Sequence, residues 1–185
     1  MPFEFREAGL EDAVMVEPQV FEDERGFFME TYVRKDFREA GIEADFIQDN
    51  FSRSKKNVLR GLHFQKGEHA QAKLVRCVRG GILDVIVDLR KDSPTFSEHI
   101  KVELSEENRK MIYVPRGFAH GFLVLSDTAE VCYKVDNDYS PESESGIIWN
   151  DPTLDIDWPV ENPVLSDDDQ ELPGFEQLKN QGSLF

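Results

Sequence analysis

Positive charge is scarce in this sequence. Of its 185 residues, 21 are lysine or arginine and 37 are aspartate or glutamate, which gives a formal net charge of −16 at pH 7. No basic residue lies between Lys134 and Lys179. Because such a surface repels the phosphate backbone of nucleic acids, we expect no nucleic-acid partner. An anionic ligand would have to be held by direct contacts with a few cations.

Long apolar runs and cysteines are scarce as well. No apolar run approaches the roughly 20 residues of a membrane-spanning helix, and residues 1–14 lack the charged and then apolar pattern of a signal peptide. We therefore expect a cytoplasmic protein without a membrane partner. The two cysteines, Cys77 and Cys132, lie in apolar segments, which indicates buried thiols. A disulfide between them is the less favoured alternative.

What the sequence does contain is a succession of short strand-like segments. About ten runs rich in β-branched and aromatic residues are separated by turn signals at intervals of about 8–12 residues. The clearest helix is a short one over residues 34–40, which Gly41 ends. This pattern predicts one all-β domain over residues 1–185, an antiparallel sandwich or barrel with a few short helices.

Local signals predict further boundaries. Gly80 and Gly81 predict a hairpin between strands over 73–78 and 82–89, because both glycines can adopt the positive φ that such turns need. The other expected segments are a strand over 27–33, a basic loop over 53–57 and a short strand over 147–149.

The segment from Arg60 to Gln65, Arg-Gly-Leu-His-Phe-Gln, carries several polar side chains within one strand. Alternation along a strand places Gly61, His63 and Gln65 on one face and Arg60 on the other. Such a row suits the lining of a pocket, with Gly61 leaving room beside His63. A polar stripe that faces solvent on an edge strand is an equally good interpretation of this segment alone.

His120 lies in a more apolar setting. It follows residues 115–119, Pro-Arg-Gly-Phe-Ala, and alternates with Phe122 and Val124, so it shares a face with core-like residues. A lone histidine in such a place is usually a buried residue with satisfied hydrogen bonds. The presence of His63 in a similar setting weakens that interpretation.

The pattern Pro-x-Gly-x-x-His over residues 115–120 resembles the second motif of cupins, which are small jelly-roll barrels. Metal-binding cupins carry His-x-His followed by a Glu in their first motif, whereas this chain has His63-Phe64-Gln65 at the matching place. The departure removes a metal ligand, so we expect no bound metal ion. A metal-dependent cupin enzyme that uses His63 and His120 is the alternative.

A closer resemblance extends over nearly the whole chain. Its segments are residues 23–30 (DERGFFME), 48–53 (QDNFSR), 59–65 (LRGLHFQ), 73–76 (KLVR), 84–90 (DVIVDLR), 93–96 (SPTF), 115–122 (PRGFAHGF) and 148–158 (IWNDPTLDIDW). In this order, they resemble the dTDP-4-dehydrorhamnose 3,5-epimerase family. The resemblance implies an antiparallel jelly roll of the cupin type. It also implies an isomerase that inverts C3 and C5 of dTDP-4-dehydro-6-deoxy-D-glucose without a metal or other cofactor. One alternative is an epimerase that inverts only one of the two centres or acts on a related 4-keto sugar. Another is a non-catalytic sugar-nucleotide binding protein.

The resemblance also implies four catalytic residues. His63 would be the base, Asp169 its partner, Tyr133 the acid, and Lys73 the cation beside the ketone oxygen. From the residues alone, Tyr133 is more often a packed core residue and Lys73 a solvated strand end. The aspartates of residues 167–169 would be a solvated helix N-terminus, and any of the three could be the partner of His63.

The substrate contacts that the resemblance implies fall into two groups. Those from the same chain are Gln48, Asn50, Arg60, Lys73, His120, Tyr139 and Glu144. Because alternation places Arg60 on the face opposite His63, this role implies that the strand bends or bulges near Arg60, or that the arginine reaches round from the end of the strand. Those from a neighbouring subunit are Arg25, Phe28 and Glu30, which implies a homodimer whose sites are completed in trans. From the residues alone, the second group indicates a hairpin turn followed by a core strand.

Overall fold

Two antiparallel β-sheets face each other across the core of this computed structural model, which describes residues 2–185. The strands are β1 (Phe3–Glu7), β2 (Val14–Pro18), β3 (Val20–Asp23), β4 (Gly26–Met29), β5 (Gln48–Lys55), β6 (Leu59–Gln65), β7 (Lys73–Arg79), β8 (Gly81–Asp88), β9 (His99–Ser105), β10 (Met111–Val114), β11 (Phe118–Val124), β12 (Thr128–Val135) and β13 (Glu144–Gly146). The helices are α1 (Arg34–Glu39), α2 (Asp167–Gln170) and α3 (Phe175–Asn180), with 3-10 turns at Gly67–His69 and Pro141–Ser143.

The strands divide into a larger and a smaller sheet and one separate hairpin. The six-stranded sheet has the order β1-β2-β10-β7-β12-β5, and the five-stranded sheet has the order β13-β6-β11-β8-β9. β3 and β4 form a hairpin of their own. All named strand pairs are antiparallel, which confirms the predicted all-β class.

The five-stranded sheet is covered on both faces, which explains why its strands β8 and β11 carry apolar residues on both sides. In β8, Val85 and Val87 pack against the C-terminal segment, whereas Ile82 and Ile86 pack into the core between the sheets. Asp84 alternates with Ile82 and Ile86 and therefore lies on the inter-sheet face. A carboxylate thus enters the apolar layer between the sheets.

A third apolar cluster lies under the helix that was predicted over residues 34–40. This helix is confirmed as α1, and its Phe37 is fully buried against Phe3 and residues of β7 and β10. The rings of Phe3 and Tyr32 meet Phe37 edge to face. Such packing of aromatic rings stabilises a short helix that could not persist alone.

The predicted hairpin at Gly80 and Gly81 was wrong. β7 belongs to the six-stranded sheet and β8 to the five-stranded sheet, so the glycine pair carries the chain from one sheet to the other. Gly80 has φ of +73°, and a Cβ there would lie 2.2 Å from the carbonyl oxygen of Thr128. A glycine is therefore required at this crossing, though for a reason other than a hairpin.

Three other predicted boundaries differ from the structure. The strand expected over 27–33 ends at Met29, and the chain then leads into α1. The loop expected over 53–57 is strand as far as Lys55, because β5 pairs with β12 up to that residue. The strand expected over 147–149 lies earlier as β13, since Ile147 packs into the core beyond it.

Cys77 is buried as expected, whereas Cys132 is only half-buried, and both are free thiols. The cross-strand partner of Cys77 is Val131, so the neighbouring Cys132 points to the opposite face of the sheet. This geometry explains why the two do not form a disulfide. Burial raises the pKa of the Cys77 thiol to about 11. None of the helices within residues 2–185 has the length and apolar character of a membrane span.

Candidate active site

A polar cavity of about 460 Å³ opens between the two sheets. Residues from both sheets, from the 3-10 turn at Pro141–Ser143 and from the α2 region form its walls. The lining residues with titratable or charged side chains are Arg60, His63, Lys73, His120, Tyr133, Glu144, Asp168 and Asp169. Seven of the ten site residues predicted for one chain therefore line this cavity, including Asp169.

The six-stranded sheet supplies one wall. Tyr133 of β12 lies opposite Asn50 of β5, and Val135 lies between Gln48 and Lys73 in the next row. Residues in register share a face, so all of these side chains point toward the other sheet. Tyr133 and Lys73 line the cavity, whereas Gln48 and Asn50 lie outside the lining and hydrogen-bond to each other at 2.9 Å.

The five-stranded sheet supplies the opposite wall, and a bulge shapes it. His63 of β6 lies directly opposite His120 of β11, but the next pair is Arg60 with Phe122. β6 therefore has one more residue than β11 between these pairs. The extra residue turns Arg60 to the same side as His63, and both line the cavity. The expectation that simple alternation separates Arg60 from His63 was wrong.

Two glycines make this bulge possible. Gly61 has φ of +114°, and a Cβ there would lie 2.6 Å from the Cα of Gly121. A Cβ on Gly121 would lie 2.7 Å from the carbonyl oxygen of Arg60. The room that Gly61 leaves is therefore filled by the backbone of β11 and does not open beside His63, which corrects the expectation from the sequence. Because the bulge interrupts the alternation of β6, Leu59 and Leu62 lie on the same face and pack in the same apolar cluster.

His63 is held by an aspartate from the C-terminal segment. Its Nε2 lies 2.5 Å from Oδ1 of Asp169, and that carboxylate is buried. Ser166 caps α2 by accepting a hydrogen bond from the backbone N–H of Asp169 at 3.1 Å, which fixes the start of the helix. Burial alone would raise the pKa of Asp169, but the hydrogen bond and the charge of His63 lower it below its usual value. Of the three consecutive aspartates, Asp169 is the one bonded to His63.

His120 has an aspartate partner that sequence reasoning missed. Its Nε2 lies 2.8 Å from Oδ2 of Asp84, and both side chains are buried. The other carboxylate oxygen of Asp84 has no hydrogen-bond partner within residues 2–185. The available signal was an aspartate in the middle of the apolar run from Ile82 to Val87, since such a residue needs a buried partner.

Lys73 and Tyr133 titrate away from their usual ranges. Burial of its ammonium lowers the pKa of Lys73 to about 8, although the charges of Asp84 and Glu144 oppose this shift. Burial raises the pKa of Tyr133, with Arg60 acting in the opposite direction. At neutral pH the cavity thus contains a cationic lysine and a protonated phenol on one wall, facing a histidine on the other.

Glu144 lines the cavity, whereas Tyr139 lies outside the lining and contacts Glu144 at the rim. The hydroxyl of Tyr139 donates a hydrogen bond of 2.5 Å to Glu144, and this bond raises the pKa of Tyr139. Gln65, at the position where a metal cupin has a second histidine, is buried and accepts a hydrogen bond from the backbone N–H of Ser140 at 3.1 Å. Its amide therefore holds the segment that carries this rim.

Arg25, Phe28 and Glu30 do not line the cavity of their own chain. They lie on and just after the β3–β4 hairpin, where the Arg25 guanidinium is held by Asp23. Phe28 exposes 65% of its surface, so the alternative interpretation as a core strand was wrong. An exposed aromatic ring on a separate hairpin is suited to contact with another molecule.

Six lining residues beyond the charged set were also missed, among them Ser52 and Phe122. Ser52 follows Gln48 and Asn50 in the inward alternation of β5, which is the signal that could have identified it. Phe122 follows His120 in the same way on β11. Within the described residues, no group of three or more His, Cys, Asp or Glu side chains is arranged to hold a metal ion.

Comparisons with known proteins identify the family of this chain. The sequence pattern of the dTDP-4-dehydrorhamnose 3,5-epimerase family matches residues 7–177. A dTDP-4-dehydrorhamnose 3,5-epimerase from Shigella flexneri is 56% identical over 159 residues, which are 85% of this chain and 88% of the relative.

Solved structures extend the similarity to the fold. The epimerase of the same name from Elizabethkingia anophelis is 50% identical with a TM-score of 0.92, covering 96% of this chain and 98% of its own. A dTDP-6-deoxy-D-glucose-3,5-epimerase from Legionella pneumophila, solved with dTDP-4-keto-L-rhamnose, is 43% identical with a TM-score of 0.92, covering 97% and 96%. The predicted cupin-type jelly roll is confirmed by these neighbours. The chain belongs to the dTDP-4-dehydrorhamnose 3,5-epimerase family.

Proposed function

We propose that this chain inverts C3 and C5 of dTDP-4-dehydro-6-deoxy-D-glucose and so forms dTDP-4-dehydro-L-rhamnose. The observation that carries the proposal is a cavity with a His–Asp pair on one wall and a protonated phenol and a lysine on the other. The protons on C3 and C5 are acidic because each carbon lies next to the C4 ketone. Inversion needs a base on one face of the sugar and an acid on the other.

His63 is the proposed base. Its Nε2 is occupied by Asp169, so Nδ1 is the nitrogen that accepts the proton from carbon. The electron pair of the broken C–H bond forms the enolate, whose negative charge lies on the oxygen at C4. Asp169 orients the imidazole and stabilises the imidazolium that forms, as a buried carboxylate does in a catalytic triad.

Tyr133 is the proposed acid. It lies on the six-stranded sheet, across the cavity from the five-stranded sheet that carries His63. Its raised pKa keeps the phenol protonated at neutral pH, so it can deliver a proton to the face opposite the base. The carbonyl then re-forms, the abstracted proton passes from His63 to solvent, and solvent returns a proton to the tyrosine. The same steps then invert the second carbon.

Lys73 is the proposed stabiliser of the enolate. An ammonium beside the C4 oxygen lowers the energy of the charge that develops there, and its effect is larger in a site with little water. Because the pKa of Lys73 is about 8, Lys73 is protonated in most protein molecules at neutral pH. The same group loses this role as pH rises through 8.

The remaining residues form the proposed substrate contacts. Arg60 and His120 surround the diphosphate and sugar, since a guanidinium binds phosphate oxygens through two parallel hydrogen bonds. Gln48 and Asn50 extend the inward face of β5, and Tyr139 with Glu144 lies at the rim, near the nucleotide. Arg60, His120 and Glu144 line the cavity, whereas Gln48, Asn50 and Tyr139 are proposed contacts outside its lining.

A homodimer is part of the proposal. Arg25, Phe28 and Glu30 would enter the cavity of a second copy, with Phe28 stacked on the thymine and Arg25 near phosphate. The exposure of Phe28, and of Phe21 and Phe27 on the same hairpin, supports this assignment, because apolar rings in water favour a partner surface. A cytoplasmic location is also part of the proposal.

The test is proton exchange in deuterated water with dTDP-4-dehydro-6-deoxy-D-glucose, followed at each carbon by NMR. We expect deuterium at both C3 and C5 of the L-rhamno product. Label at one centre only would replace the proposal with a single-centre epimerase, and binding without label would indicate a non-catalytic protein. Activity that disappears with a chelator and returns with Fe, Mn or Zn would favour the metal-dependent cupin.

A further inference from the structure

The position of Arg60 depends on more than the bulge in β6. Its Nε donates a hydrogen bond of 3.0 Å to Oγ of Ser54. Within residues 2–185 this is the one hydrogen bond of the guanidinium, and its two Nη groups form no salt bridge. The guanidinium of Arg90, by contrast, is held by the carboxylates of Asp88 and Asp12. Arg60 is therefore a cation whose outer nitrogens are left for a ligand.

Ser54 is placed to act on that cation alone. It is the last inward residue of β5, it is buried, and it lies behind the cavity wall. β5 belongs to the six-stranded sheet and β6 to the five-stranded sheet, so the hydrogen bond joins the two sheets. A guanidinium is planar, and a bond at Nε fixes the plane in which both Nη groups point.

We propose that Ser54 is a positioning residue that holds the Arg60 guanidinium with its two Nη groups directed at the diphosphate of the substrate. The inference deepens the proposed function, because it takes Arg60 as the phosphate contact. Ser52, two residues earlier on the same face, provides the contrast, since its buried hydroxyl has no partner within the described chain. Of these two inward serines, Ser54 is the one bonded to Arg60.

The consequence is a defect in binding more than in chemistry. In Ser54→Ala the side chain of Arg60 regains its rotamer freedom, and part of its contact with the phosphates is lost. We expect KM for the dTDP-sugar, and Kd for dTDP measured by calorimetry, to rise about tenfold, the loss typical of a hydrogen bond to a charged group. The kcat should stay within about twofold, because the diphosphate is bound equally in the ground and transition states.

A double-mutant cycle separates positioning from a general structural role. Arg60→Ala, Ser54→Ala and the combined variant are compared by KM and by Kd for dTDP. If Ser54 acts through Arg60, the combined variant equals Arg60→Ala. Ser54→Thr keeps the hydroxyl and should restore KM. Ser105→Ala removes another buried serine hydroxyl, which accepts from Asn108 far from the cavity, and should leave KM unchanged.

The possible outcomes separate a failure of the positioning role of Ser54 from a failure of the phosphate contact assigned to Arg60. A tenfold rise in KM for Ser54→Ala that persists in full in the Arg60→Ala background would overturn the positioning role. So would an unchanged KM for Ser54→Ala beside a large rise for Arg60→Ala. If Arg60→Ala itself left KM and Kd unchanged, the phosphate contact would be wrong, and the role of Ser54 would fail with it.

Discussion

Two histidine–aspartate pairs lie side by side in the cavity and differ in how far water reaches them. His63 and His120 are direct neighbours across β6 and β11. The His63 side chain is 36% exposed, whereas that of His120 is 7% exposed. Asp169 comes from a capped helix in the C-terminal segment, and Asp84 comes from the centre of β8.

The difference in exposure indicates that the two histidine–aspartate pairs have different functions, although they consist of the same chemical groups. A base must meet the substrate and return its proton to water, which suits the more open pair, His63 with Asp169. A buried pair is suited to hold one geometry and to present a fixed donor or charge to the ligand. The pairs should therefore respond differently to the same substitution, and the following experiments test that expectation.

The largest effect is expected from replacing each histidine by asparagine. His63→Asn removes the base and should lower the rate of exchange at C3 and C5 by about 10³-fold or more, while Kd for dTDP stays within about tenfold. His120→Asn should instead weaken binding and retain exchange at saturating substrate. NMR exchange and calorimetry on both variants measure this. Exchange that persists in His63→Asn, or that disappears equally in both variants, would contradict the assignment of His63 to catalysis and His120 to binding.

Tyr133→Phe tests whether abstraction belongs to the more open pair alone. Without the phenol, His63 still removes the proton, so deuterium should continue to enter the substrate from the His63 side. Inversion should fall by about 10²-fold, because the opposite face has lost its acid. The ratio of label in recovered substrate to label in product reports this. An equal loss of both would indicate that Tyr133 takes part in abstraction.

A smaller effect is expected on stability. Asp84→Ala leaves His120 buried without its partner and should lower the free energy of unfolding by about 3 kcal/mol. Asp169→Ala affects a more open pair and should cost about 1 kcal/mol. Urea unfolding at pH 7 compares the two variants. An Asp169→Ala variant that is the less stable of the two would contradict the ranking by burial.

The sequence predicts most of the strands and the inward side of Tyr133, because these follow from local alternation. It could not give the face of Arg60, since the bulge depends on Gly61 meeting Gly121 of another strand. It missed Asp84 for a related reason, because its partner His120 is 36 residues away in the chain and only the sheet brings them together. The single domain over residues 1–185 stays a prediction.

The Gly80-Gly81 signal shows the same limit. Two glycines between strand-like runs indicate a turn, but whether those strands pair is decided by the neighbours that each finds in the folded sheets. Here β7 pairs with β10 and β12, and β8 pairs with β9 and β11. The local residues thus predict the turn correctly, but they do not predict which strands pair with each other.

The smallest effect expected concerns the pH dependence of catalysis and joins the buried pair to Lys73. The charge of Asp84 raises the pKa of Lys73 and opposes the effect of burial, so that the ammonium titrates at about 8. In Asp84→Asn the burial remains and the charge is lost, whereas Glu144 still acts in the same direction. The pKa of Lys73 should therefore fall.

If the cationic form of Lys73 stabilises the enolate, kcat of the unchanged protein declines as pH rises through about 8. In Asp84→Asn this decline should begin at lower pH, and in Lys73→Arg it should move to much higher pH because arginine stays charged. Asp168→Asn is the matched control, since Asp168 lines the same cavity but is not among the groups that shift Lys73. A decline that stays at the same pH in Asp84→Asn and Lys73→Arg would assign it to another group. The buried pair would then act on the ligand through His120 alone.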